Sequence, residues 1–338
     1  YNAERTEDNR VQRDVPEAIA PWEADLPRDR LGLAKWLTQP NHPLTARVAV
    51  NRLWQMCFGT GLVASIDNFG AQGSLPTHPE LLDNLSVSYI QSGWDTKAML
   101  RRIVLSATYR QDSSTTPDKW KSDPNNELFS RGPARRLDAE MIRDTALSTS
   151  GLLVRKQGGA PAYPYQPNGL WKEVNGGTYR QGKGESLYRR SLYTVWKRAV
   201  PMPNMMAFDT PTREACTASR QATNTPLQAL VLLNDVQYVE ASRALAQHVM
   251  KQVQGDEARI ALGFRTLTGR DPKKTEAQRL LDLLNNQRQL FIDDDQDAKA
   301  LLAMGEATRD ENLDAIEHAA MSVVMHAIFN LDATIWRR

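Results

Sequence analysis

The chain has 338 residues, enough for one large or two ordinary domains, and 41% of them are apolar even without glycine, so a packed core is available. Its 42 Lys and Arg nearly balance 40 Asp and Glu, which argues against a nucleic-acid or anionic-membrane partner. No apolar run is long enough to span a bilayer; no secretory signal opens the chain, and it starts at Tyr1 rather than a Met, so a processed or trimmed product is expected.

Residues 1–27 are charged, Pro-bearing and aperiodic, and read as an extended arm or linker. The stretch DRLGLAKWL predicts a short helix with Leu33, Trp36 and Leu37 inward. In NHPLTARVAVNRLWQMCFGTG, residues Val50, Leu53, Trp54 and Cys57 recur at helical spacing, and Gly59 and Gly61 come next as stop signals. THPELLDNLSVSYIQSG predicts another helix: Thr77 and Glu80 have capping-box spacing, Leu81, Leu82, Leu85 and Tyr89 form its buried face, and Gly93 ends it. Asp95 is placed to cap a further helix carrying Met99, Leu100, Ile103 and Val104.

Residues 111–130 form a polar loop joining two lobes, 28–110 and 131–338. RRLDAEMIRDTALSTSG is helical, with Gly151 closing it, and the glycine-rich residues 152–186 are long and irregular. SLYRRSLYTVWKR alternates as a strand would, with Arg189, Ser191, Tyr193, Val195 and Lys197 on one face. Thr225, Pro226 and Gln228 mark a capped helix start with Leu230 and Leu233 inward, and Asn234 marks either a helix restart or a buried amide. Helices are predicted over 226–252, 256–268, 275–291 and 311–329. The expected fold class is mainly α: a multi-helix domain with a small β element and long ordered loops in the middle.

Few standard enzyme signatures are present. No CxxCH, HExxH, GxGxxG, GxSxG or GxxxxGK[ST] occurs, so no cofactor or haem is expected within this chain. No histidine has a ligand-spaced partner, so no metal site is expected. Three constellations still carry chemistry. On the helix near Leu137, Asp138, Glu140 and Asp144 are candidate catalytic carboxylates; Asp144 shares the apolar side and must be paired or carry a raised pKa. Against this stands ordinary surface pairing of Arg136 and Arg143 with Glu140. A basic and aromatic set, Arg189, Arg190, Trp196, Lys197, Arg198, Arg213 and Arg220, with Asp209 beside it as a further binding candidate, suits carboxylates, sulfates or sugar rings; the plainer alternative is a network pinning loops to helices. Cys216, between two arginines and ahead of a helix start, is a candidate reactive thiol or a partner for a disulfide with Cys57. His78 is a weaker candidate for binding, and His42 is placed to ligate or to cap.

The blocks RLGLAKWLTQPNHPLTARVAVNRLWQMCFGTGLV, THPELLDNLSVSYIQSGW, RRLDAEMIRD, RRSLYTVWKR, FDTPTREACTASRQATNTPLQALVLLND and NLDATIWRR resemble, in order, those of the planctomycete secreted domain family, a domain of unknown function. The resemblance runs from about residue 28 to the C-terminus. It implies the C-terminal part of a large exported protein, secreted or periplasmic, located after a cytochrome c-type domain and sometimes lectin-like modules. The implied partners are that cytochrome, whose haem c lies outside this chain, and carbohydrate. Met56 and Cys57 stand where family members often carry histidines. Two functions are expected from this: a module of an enzyme acting on polysaccharide or another organic polymer with electron transfer to the cytochrome, or a non-catalytic scaffold that docks it.

Overall fold

The computed structural model describes residues 13–337; the first part of the predicted arm, residues 1–12, lies outside the described residues. The protein is mainly α, as expected, and its chain divides after Arg135 into two compact units.

In the first unit, residues 13–27 carry no helix or strand. Arg28 ties their first residues down: its guanidinium donates to the Arg13 carbonyl at 2.6 Å and pairs with Asp14 at 3.1 Å. Five helices make up the rest of the regular structure: α1 (Arg30–Leu37), α2 (Thr45–Phe58), α3 (Pro79–Gln91), α4 (Thr96–Val104) and α5 (Pro117–Ser122). The apolar spacing of α2 does bury Val50, Leu53, Trp54 and Cys57, against Leu82, Leu85 and Tyr89 of α3 and Met99 and Ile103 of α4. Asp95 caps α4 by accepting from Ala98 N–H.

Three local expectations are corrected here, and the His42 alternative is decided. On α1 only Trp36 is buried among the three; Leu33 and Leu37 face solvent. The Thr77–Glu80 capping box does not form, because Thr77 N–H and hydroxyl both donate to the Leu62 carbonyl and His78 becomes the N-cap residue of α3. His42 caps: its Nδ1 accepts from Thr45 N–H at 3.2 Å at the start of α2, with its ring edge-on to Trp36. The polar loop contains α5, started by Thr116 and Pro117.

The second unit begins in β1 (Arg135–Arg136), which pairs with β2 (Trp336–Arg337) to form a two-stranded sheet. Between them run α6 (Ala139–Thr149), α7 (Leu170–Asn175), α8 (Pro203–Met206), α9 (Pro226–Asn234), α10 (Val236–Gln252), α11 (Asp256–Thr268), α12 (Lys274–Asp293), α13 (Asp295–Leu302), α14 (Ala315–Phe329) and α15 (Asp332–Ile335). The very apolar α14 lies at the centre, with α10, α11, α12 and α13 around it, and α6 packs against α10. The break between α9 and α10 falls at Asp235, whose carboxylate caps α10 by accepting from Gln237 N–H. Asn234 therefore marks a restart.

The small β element is not where alternation placed it. Residues 184–188 and 191–193 form 3-10 turns, and only isolated bridges touch this segment, such as Val154 with Arg189. The reason is chemical. Its backbone groups are taken by side chains: Arg143 donates to the carbonyls of Leu187 and Arg189, and Ser191 N–H donates to Asp144. A strand would need those same groups for a neighbouring ladder. The inward pair expected on α9 is also corrected. Leu230 and Leu233 are exposed, and Gln228 and Leu232 face inward instead.

Candidate functional site: a charged cleft beside helix α6

The site grows from α6. Arg143, Ile142 and Leu147 point into the unit, and Arg143 is among its most buried side chains, 1% exposed. Its guanidinium donates to Leu187 O and Arg189 O, each at 2.8 Å, to Ser191 Oγ at 3.3 Å and to Gln237 Oε1 at 3.2 Å. Burial pushes its pKa down, opposed by the nearby Asp144, but an arginine stays charged at any physiological pH. One cation thus fixes the 187–191 segment to α6.

The next helical position, Asp144, faces the same segment from the open side. Its Oδ1 accepts from Ser191 N–H at 2.7 Å and its Oδ2 from Arg190 Nε at 3.4 Å. Glu140, one turn earlier, is gripped by both terminal nitrogens of Arg220, at 2.6 and 3.1 Å, while Asp138 lies 3.9 Å from the same guanidinium. Burial raises the Glu140 pKa, but the Arg220 hydrogen bonds and the charges of Arg220 and Arg213 outweigh it and hold the carboxyl below its ordinary value. The hydrogen bond to Glu140 likewise raises the Arg220 pKa. The predicted pairing along α6 is replaced: Arg136 bonds Asp209 at 2.6 Å, and Glu140 bonds Arg220 across the fold.

Arg220 and Arg213 arrive on the loop after α8. Asp209, in the left-handed backbone region at φ 60°, closes its base. The Asp209 carboxylate accepts from Thr223 N–H at 2.8 Å and from the Thr223 hydroxyl, and it pairs with buried Arg136. Arg213 lies over the Trp196 ring at 4.3 Å, and the Trp196 indole N–H donates to Thr212 O.

The third wall comes from residues 153–157. Arg189 holds it: the buried guanidinium donates to the carbonyls of Ala160, Lys156 and Gly158, and stacks 3.8 Å from the Tyr193 ring centroid. This presents Arg155, Lys156 and Gln157 to the cleft.

Together these walls enclose an open cleft of about 1130 Å³, lined by second-unit residues only. Of the sequence candidates, Asp138, Glu140, Asp144, Arg190, Arg213 and Arg220 line it. Trp196, Asp209 and Arg189 stand behind the walls and hold them. Lys197 lies over the Trp171 ring at 4.0 Å, and Arg198 is exposed outside the cleft lining. Cys216 is exposed and Cys57 buried, and neither is in a disulfide. His78 belongs to the first unit, where its Nδ1 meets the Thr77 hydroxyl at 3.1 Å. Sequence reasoning missed Arg155 and Lys156; the basic pair ahead of Gly158 and Gly159 was the available signal. Among the described residues no group of three His, Cys, Asp or Glu side chains is arranged to hold a metal ion.

Chemically, the cleft sets five cationic side chains, Arg155, Lys156, Arg190, Arg213 and Arg220, against three carboxylates. Met141, Leu153, Leu192 and Tyr193 add apolar and aromatic surface. Glu140, ionised and clamped, has no proton to give near neutral pH, so the arrangement favours holding an anion over general-acid chemistry.

Residues 29–284 match the model of a family described as "Protein of unknown function (DUF1553)". No curated protein and no solved structure matches the chain.

Proposed function

Because the chain belongs to the DUF1553 family of proteins of unknown function, whose description assigns no activity, we propose a role from the cleft itself: it holds a segment of an acidic polysaccharide or similar anionic polymer. The domain is then the substrate-holding part of an exported, polysaccharide-active protein of planctomycete type. Any bond cleavage or electron transfer to an associated c-type cytochrome is supplied by other domains. The observation that carries the reading is the cationic excess in an open cleft with apolar and aromatic walls. Arginine forks match carboxylate and sulfate oxygens, and apolar walls suit sugar-ring faces.

A self-contained scaffold would pair these charges with one another. Arg155 and Lys156 have no side-chain hydrogen bond or ion pair among the described residues, which favours a ligand. The test is calorimetric titration of the whole protein with sulfated, uronate-bearing and uncharged polysaccharides of matched length. Binding of the acidic ones, weakening as salt is raised, is expected. Equal affinity for the uncharged polymer, or no binding of any acidic one, would overturn the reading.

A further inference from the structure

The five cations of the cleft are not equivalent. Arg220 is held bidentately by Glu140 and also lies near Asp138. Arg213 rests on Trp196 and lies close enough to Glu140 for their charges to interact. An incoming anion at these two would have to displace a carboxylate already in place. The other three differ. The parallel bridge between Val154 and Arg189 sets Arg155 beside Arg190 at the next position of both segments, and both side chains line the cleft. Arg190 touches Asp144 through Nε alone, at 3.4 Å, so its two terminal nitrogens are open. Asp144 is meanwhile satisfied by Ser191 N–H at 2.7 Å. Arg155 and Lys156 bring two more charges with no carboxylate partner among the described residues.

Adjacent like charges repel, and a fold tolerates them where solvent or a bound counter-charge separates them. The walls behind this group are built rather than loose. Arg143 fixes the carbonyls of Leu187 and Arg189 from within, and Arg189 fixes those of Lys156, Gly158 and Ala160. Two buried guanidinium groups therefore fix the backbone that presents three exposed cations to the cleft before any ligand arrives, which lowers the cost of binding.

We infer that Arg155, Lys156 and Arg190 form an oxyanion subsite that receives the charged substituent of the polymer, a sulfate ester or a uronate carboxylate, while Arg220 stays locked to Glu140 as part of the wall. This rests on the proposed function, which names the polymer; the subsite names where its charge sits. Leu192 and Tyr193, the next cleft residues after Arg190 and Ser191, put apolar and aromatic surface beside that charge, as a charged group attached to a sugar ring requires.

The experiment is titration of the full chain and of Arg155→Ala, Arg190→Ala, Lys156→Ala and Arg220→Ala variants with one sulfated and one uronate polysaccharide. Unchanged melting temperatures check that the exposed-site variants fold. The subsite predicts a loss of about tenfold or more for Arg155→Ala and for Arg190→Ala, the range of a lost charge-assisted hydrogen bond, and a change below about threefold for Arg220→Ala. A loss with only one of the two polymers assigns the substituent. If the wild type binds but only Arg220→Ala weakens it, the subsite is wrong although the cleft reading stands. If the wild type binds neither polymer, the proposed function falls, and inorganic sulfate decides the subsite. A thermal shift by sulfate that disappears in Arg155→Ala and Arg190→Ala supports it, and a shift that survives in both overturns it.

Discussion

At the scale of single residues, the second unit depends on a few buried polar groups that replace secondary structure. Arg143 does for the 187–191 segment what a neighbouring strand would otherwise do, and it does so from inside the unit. Replacing it with Met keeps most of the volume but leaves the Leu187 and Arg189 carbonyls unmet. The expected loss is about 3 kcal/mol or more, read as a lower urea midpoint. Arg143→Lys should recover only part of it, since an ammonium cannot reproduce the fork. A mild effect of Arg143→Met would show that water can take over those carbonyls. Gly305 offers a second test. Its φ is 85°, and a Cβ there would sit 2.3 Å from Glu240 Oε1, the oxygen that accepts from Tyr188 OH at 2.8 Å and Ala307 N–H at 2.7 Å. Gly184 shares a positive φ but has open space around it. Gly184→Ala should therefore cost about 1 kcal/mol, from backbone conformation alone. Gly305→Ala should cost clearly more, because it also breaks the Glu240 network. Equal losses in thermal denaturation would mean that Glu240 can move aside.

At the scale of elements, the loop between Asp209 and Thr223 behaves as a separate piece of structure closed at one point. Asp209→Ala removes the clamp to Thr223 and leaves Arg136 only the Phe208 carbonyl. The loop should then open more often: trypsin cleavage after Arg213 and Arg220 should accelerate about tenfold, as ~1.4 kcal/mol of lost closure implies. Unchanged rates would place the closing contact elsewhere, with Trp196 the next candidate. Elements of this kind mark how far the sequence could be read. Helices with a continuous apolar stripe, such as α2 with Val50, Leu53, Trp54 and Cys57, are legible because one period decides both their shape and their buried face. The α9 start is legible too, since the Thr225 and Gln228 capping box is local. Its buried face is not: Gln228 goes inward to donate to the Thr223 hydroxyl, and a pattern that sorts residues by apolarity cannot foresee a polar residue satisfied inside. The same blindness misplaced the strand at 186–198, where alternating residues are held by Arg143. In the cleft, the charges on α6 and on the 209–223 loop were readable as a candidate set. Arg155 and Lys156 show in the sequence only as a basic pair ahead of two glycines, because contacts with the distant Arg189, a bridge and its guanidinium hydrogen bonds, carry them there.

At the scale of the molecule, each unit has its own apolar core, and the second unit's core contains titratable groups that tie its stability to pH. His318 is fully buried with Nε2 at 3.0 Å from the Arg243 carbonyl, and His326 has Nε2 at 2.7 Å from the Leu232 carbonyl. Burial lowers both pKa values, and in each case it outweighs the hydrogen bond to a carbonyl, which acts the other way. The unfolded chain, with histidines near 6.5, therefore binds protons that the folded unit refuses. The stability these neutral rings contribute is complete above that pH and is lost as pH falls below it, by up to about 1.4 kcal/mol per histidine per pH unit until the folded value is reached. Paired carboxylates shift in the same sense but lower down. Asp310, hydrogen-bonded to Lys251, and Glu276, held by Arg270, are each lowered to about 2, so their contribution is lost only as pH falls below the ordinary carboxylate range of about 4. Between pH 7 and pH 5 the histidines should dominate. Urea unfolding followed across that interval should show the second unit's transition moving to lower urea as acid is added. His318→Gln and His326→Gln together should flatten the slope even though they lower stability at pH 7. A slope that survives both substitutions would assign the proton uptake to groups outside this core.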